Sequence, residues 1–78
     1  MPVYLQVAGI LRERITAGQL APRRPVPSVR QLVQEFGINK ATGAKALHVL
    51  ASEGLVVMVR GRGWFVSPGA GSETPRQP

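Results

Sequence analysis

The feature that most restricts how this chain can fold is the three-residue break at Gly37, Ile38 and Asn39, which separates two stretches that each carry a helix start. The first stretch opens at Pro27 and Ser28, where the Ser28 hydroxyl can take up an orphan amide and Gln31 can reach back in a capping box. It ends at Phe36 and Gly37. Glycine tolerates the left-handed conformation that a sharp turn needs, Ile38 is an apolar plug, and Asn39 is a good N-cap for the next helix. A helix restarted after so short a turn presents its first residues outward, here Asn39, Lys40, Ala41 and Thr42. Recognition helices put that end into the major groove. The pattern is a helix-turn-helix, and duplex DNA is the partner it implies.

The rest of the chain completes a small α+β domain. Tyr4, Ala8, Leu11 and Ile15 fall on one face at helical spacing, widened by Val7, and predict a helix over residues 3–17 that Gly18 ends. Residues 21–27 contain three prolines, which remove donors and bias their predecessors toward extended geometry. An ordered connector is expected there, with room for Val26 in a short edge strand. The last helix should run over 39–52, burying Ala46, Leu47 and Leu50, until Gly54 releases the chain. Residues 55–59 are β-prone, 60–63 read as a turn, and 64–66 as the returning strand. The expectation is a winged helix-turn-helix over residues 2–67, three helices with a C-terminal β-hairpin wing. Residues 68–78, rich in Pro, Gly, Ser, Thr and charge, cannot bury enough apolar surface to order themselves and are expected to be a disordered tail.

A chain of 78 residues holds one domain with a modest core. Ten Lys and Arg face four acids, all glutamates, for a formal charge of +6, which suits a polyanionic partner. Surplus charge also keeps a small protein soluble, and the motif is what favours the polyanion. There is no cysteine, hence neither a disulfide framework nor a thiolate zinc site. No charged segment followed by an apolar run opens the chain, and no apolar stretch approaches bilayer length. A cytoplasmic, nucleoid-associated protein without a membrane contact is expected. His48 has no second ligand beside it in sequence, and nothing assembles a nucleophile, base and oxyanion donor, so no metal, cofactor or enzymatic activity is expected.

Taken in order, Tyr4 with Gln6-Val7-Ala8, Leu11, Ile15, Gly18 and Leu20, then Pro27-Ser28-Val29-Arg30-Gln31-Leu32, form the first part of a longer match. It continues through Phe36-Gly37-Ile38-Asn39-Lys40, Ala46-Leu47, Glu53-Gly54-Leu55-Val56 and Gly61-Arg62-Gly63-Trp64-Phe65-Val66. This series resembles the N-terminal DNA-binding domain of the GntR family of bacterial transcription regulators, over residues 4–66. The resemblance implies a DNA-binding transcription regulator, a repressor by preference. It also implies a second, effector-binding and dimerising domain, for which this chain has no counterpart; no small-molecule effector is therefore expected.

Eight residues are candidates for DNA contact. Lys40 is a cation in the first turn of a helix, poorly placed against the helix dipole unless an anion lies in front of it. The resemblance implies arginine at that position, and lysine weakens the expectation of bidentate guanine recognition while keeping a single-point contact to guanine or phosphate. Arg30 matches a position that reaches base edges or phosphate; the alternative is a surface salt bridge to Glu53 or Glu35. Asn39 is explained as a cap and is also placed for contact, and Thr42 can donate to a phosphate. The resemblance further implies an arginine where Ala44 stands, a loss that Lys45 next door is placed to replace. At the wing tip, Arg60, Gly61 and Arg62 combine cations with a backbone that can approach the sugar-phosphate chain closely.

Two departures concern packing. The family carries a β-branched residue where this chain has Gly43, which costs the helix about 1 kcal/mol relative to alanine and is expected to leave the core lighter. Val57, Val59 and Trp64 make the wing apolar, either as a surface for a protein partner or a weak homodimer, or with Trp64 folded back over the core. From that wing comes a competing function, a protein-interaction module with weak or no DNA binding. RNA binding is a third reading, for which only Trp64 offers a stacking surface.

Overall fold

Ser28 and Asn39 cap the two helices as their positions require. The Ser28 hydroxyl accepts the Gln31 N–H at 3.1 Å while the Gln31 side chain accepts the Ser28 N–H at 2.9 Å, so both arms of the capping box are closed. Gly37 sits in the left-handed region at φ 65°, and Asn39 Oδ1 accepts the Thr42 N–H at 2.8 Å. In the computed structural model, which describes residues 1–69, the elements are α1 (Val3–Thr16), α2 (Val29–Phe36), α3 (Lys40–Ser52), β1 (Val56–Val59) and β2 (Gly63–Val66). Of the tail expected over 68–78, residues 70–78 lie outside the described residues.

The two strands form an antiparallel ribbon with Val56 opposite Val66, Val57 opposite Phe65, Met58 opposite Trp64 and Val59 opposite Gly63. The proline-rich connector lies along the other edge of β2. Val26 N–H donates to Trp64 O at 3.0 Å and Val66 N–H donates to Arg24 O at 2.8 Å. Pro25 stands opposite Phe65 at a rung whose hydrogen bonds come from its neighbours, so its missing N–H costs nothing. Val7, Ala8, Leu11 and Ile15 of α1, Leu32 of α2, and Ala46, Leu47 and Leu50 of α3 meet in one core. Val26, Val56 and Val66 close that core from the wing side.

Two corrections follow from packing. Gly43 does not leave the core lighter: a Cβ there would lie 3.3 Å from Val29 Cγ1 and 3.7 Å from Ile38 Cδ1. The space is already filled from α2 and the turn, and the glycine lets the two helices approach. The second correction concerns the wing. A turn over 60–63 would place Trp64 opposite Val59, but Gly63 takes that place, and the loop is one residue shorter. Because strand side chains alternate, this one-residue shift moves Trp64 to the other face. Trp64 is half-buried against the core and edge-on to His48, with ring centroids 5.5 Å apart, while Val57 and Val59 share the opposite face with Phe65. The expected patch of Val57, Val59 and Trp64 is therefore not one surface.

Helix α1 is tied to both helices of the motif by arginine-carboxylate pairs. Arg12 grips Glu53 at the end of α3 through two hydrogen bonds, Nε to Oε1 at 2.8 Å and Nη2 to Oε2 at 2.6 Å. Arg14 pairs with Glu35 of α2, and its guanidinium also lies over the Phe36 ring, 5.8 Å from the centroid. Hydrogen bonding from these arginines holds both glutamates below the usual carboxylate range. Both carboxylates are more than one-third exposed, so the stabilisation is screened and small.

Two outcomes are expected. Gly43→Val should destabilise by about 1–3 kcal/mol through overpacking, read as a lower melting temperature. Adding Val29→Ala should return part of the loss; a rise in melting temperature for Gly43→Val alone would show that the helices give way freely. For the ion pairs, a lowered carboxylate value in the folded state gives stability that is fully present above the ordinary value and lost as pH falls through the lowered one. Melting temperatures measured below about pH 4.3 should therefore drop less steeply for a Glu35→Gln, Glu53→Gln double variant than for the parent. Equal slopes would remove these pairs from the acid response.

Candidate nucleic-acid interface

The presented end of α3 is built by its cap. Asn39 stands in extended geometry at φ −88° and ψ 169°, and its side-chain oxygen Oδ1 is committed to the Thr42 N–H. That leaves the Asn39 amide NH2 as a free donor and the Thr42 hydroxyl as the group Thr42 can offer. Gly43, Ala46, Leu47 and Leu50 turn inward, which sends Lys40, Ala41, Lys45 and His48 to the surface.

Arg30 stands in the first turn of α2, next to Val29, whose side chain touches the Gly43 position of α3. The packing thus sets the first turn of α2, which carries Arg30, against α3 at Gly43. Its alternative role as a salt-bridge partner does not hold, because Glu53 is taken by Arg12 and Glu35 by Arg14. Among the described residues, Arg30, Lys40, Lys45, Arg60 and Arg62 form no salt bridge. All five are exposed.

At the wing tip, Arg62 N–H donates to Val59 O at 2.9 Å and closes a turn in which Gly61, at φ 79°, occupies the position that requires a positive φ in a type II turn. Arg60, Gly61 and Arg62 project into solvent from this hairpin. The wing is linked to α3 through the contact of Trp64 with His48. Asn39, Thr42 and Lys45 are brought together in a shallow hollow whose other walls are Tyr4, Ala41, Ala44 and His48. Sequence reasoning did not assign Tyr4 or His48 to this neighbourhood: Tyr4 reaches it from α1, a contact that no local pattern records, and His48 stands one turn beyond Lys45 on α3 itself.

Two capped helices at a three-residue turn, with an arginine-tipped hairpin after them, define a winged helix-turn-helix DNA-binding domain. The family model described as bacterial regulatory proteins, gntR family, matches residues 3–66, and the chain belongs to that family. It is 42% identical to the HTH-type transcriptional repressor NagR of Bacillus subtilis (strain 168) over 86% of this chain and 28% of NagR. With the repressor YtrA of the same organism, identity is 35% over 88% of this chain and 53% of that protein. Among solved structures, the DNA-binding domain of AraR in complex with operator ORR3 superposes with a TM-score of 0.82 at 36% identity, covering 86% of this chain and 81% of that one. The chain thus spans little more than a quarter of NagR and about half of YtrA. These likenesses support a DNA-binding regulator and do not favour the protein-docking alternative.

Asn39 can be tested for its two roles separately. Asn39→Ala should cost about 0.5–2 kcal/mol through loss of the cap, whereas Asn39→Asp keeps a capping oxygen and should hold stability near the parent's. The aspartate should nevertheless weaken duplex binding, because it places a negative charge at the presented end. Parent affinity in Asn39→Asp would place residue 39 away from the phosphates and base edges.

Proposed function

We propose that the chain binds double-stranded DNA sequence-specifically and regulates transcription, by preference as a repressor that occupies a promoter. The observation that carries this reading is a set of exposed cations that form no salt bridge among the described residues, on three parts of the motif: Arg30 on α2, Lys40 and Lys45 on α3, and Arg60 and Arg62 on the wing. In this reading Lys40, Thr42 and Arg30 meet base edges, with Asn39 at their margin. Lys45, Arg60 and the Gly61 backbone track phosphates, and Arg62 enters the minor groove. The reading requires neither catalysis nor a small-molecule effector, and the protein works where the chromosome is, in the cytoplasm. Two copies pair weakly when they meet on two half-sites, through the wing face of Val57, Val59 and Phe65, and remain mostly monomeric when free.

Titration of one labelled duplex at several salt concentrations tests the reading. Five neutralised phosphates give a slope of log K against log salt of about −4 to −5. Lys40→Ala should weaken binding and also relax discrimination between sequences, and Arg62→Ala should weaken all sequences alike to the extent that its contacts are to phosphate rather than to a groove of sequence-dependent width. The same titrations should report two proteins per selected duplex. Absence of duplex binding at low salt, or a flat salt response, would sink the proposal; a single bound copy on every selected site would remove the pairing.

A further inference from the structure

The hollow beside the first turns of α3 holds a contact that the DNA contacts proposed above do not use. Tyr4, in the first turn of α1, lies against α3, and the Lys45 ammonium sits over its ring, 4.7 Å from the centroid. Tyr4 is half-buried and anchored against the core; Lys45 is exposed. Among the described residues no carboxylate lines the hollow, and Lys45 takes no part in either salt bridge.

An exposed lysine ordinarily samples many rotamers, since its charge rides on a flexible four-carbon stem. Here the negative face of the Tyr4 ring attracts the ammonium and favours one position, beside Asn39 and Thr42. An ammonium has three N–H donors, so one resting on a ring face still has donors for an outside acceptor. A cation held in place before binding loses less freedom when it meets its anion, and so contributes more to affinity.

We propose that Tyr4 is a positioning residue for DNA binding: its ring holds Lys45 at the flank of the recognition helix, in place for one backbone phosphate of the duplex. The proposal rests on the DNA-binding reading and extends it to a residue of α1. The hydroxyl is not needed for this role. The ring is.

The test is a set of salt titrations on one duplex with the parent, Tyr4→Phe, Tyr4→Leu, Lys45→Met and the Tyr4→Leu, Lys45→Met double variant. Tyr4→Leu should weaken binding about two- to fivefold, the range of an exposed cation–ring contact, and Tyr4→Phe should recover most of that loss. Lys45→Met should make the salt slope shallower by about one, and Tyr4→Leu should cost nothing further in that background. A loss that persists in full without Lys45 would make Tyr4 a packing residue only and overturn the proposal, as would parent affinity in Tyr4→Leu. Should Tyr4→Leu melt early, 3,4,5-trifluorophenylalanine at position 4 keeps the ring shape while removing its negative face. The same weakening relative to Tyr4→Phe is expected, and its absence overturns the proposal. Failure of the parent to bind duplex with a salt response would defeat the DNA-binding reading itself. Normal parent binding with an unchanged slope in Lys45→Met would defeat only the phosphate seat.

Discussion

The angle at which α3 leaves the turn at Gly37 governs what the domain can present. That angle rests on three local facts: a left-handed glycine at φ 65°, a capped first turn, and a second glycine, Gly43, where the helices touch. The left-handed backbone turns the chain without strain, and Asn39 ends the exposure of one orphan amide. Gly43 then allows Val29 and Ile38 to occupy the space a side chain would have filled. Moving any of the three would tilt Lys40 and Thr42 relative to Arg30, because the first two ride on α3 and the third on α2.

Helix α1 holds the junction in place and shapes the surface charge at the same time. Its buried stripe closes the core, while Arg12 and Arg14 fasten Glu53 and Glu35. Individually these exposed pairs add little stability. Their larger consequence is electrostatic: the carboxylates at the end of α2 and just past α3 are neutralised on the α1 side, and the cations of the motif and wing keep their full charge. A domain with few acids thus directs its positive field toward one partner, with steering that salt would screen.

Most of the fold was legible because its signals are local. The capping box at Ser28, the cap at Asn39, the spacing of Leu11 and Ile15, and the glycines of the wing each act within a few residues. What was not legible depends on contacts distant in sequence or on register. Gly43 reads as a weak point in a helix until Val29 is seen against it. Trp64 changed faces because the hairpin loop is one residue shorter than the composition of residues 60–63 suggested, and a strand's parity has no partial error. Lys45 could be ranked as a candidate from its neighbour Ala44, but its seat on Tyr4 joins residues 41 positions apart. Of the candidate interface, the chemical types and their order were readable, and the orienting contacts were not.

Under the proposed function, the residues on α3 also bound the kind of sequence information the domain can read. Lys40 is a compact charge on a flexible stem, so it can reach guanine O6 and N7 but without the fixed planar fork by which arginine selects them. Gly43 is buried, and beside the exposed Lys40, Lys45 and His48 this side of the helix carries the methyl groups of exposed Ala41 and half-buried Ala44. Alanine and threonine methyls would suit the thymine C5-methyl group, and the lysine would suit guanine or a phosphate. Arg62 at the wing tip would complement this by responding to groove width, which narrows in A-tracts and attracts arginine. Base edges and groove shape would then be read together, and a domain with one short reading helix would draw specificity from both.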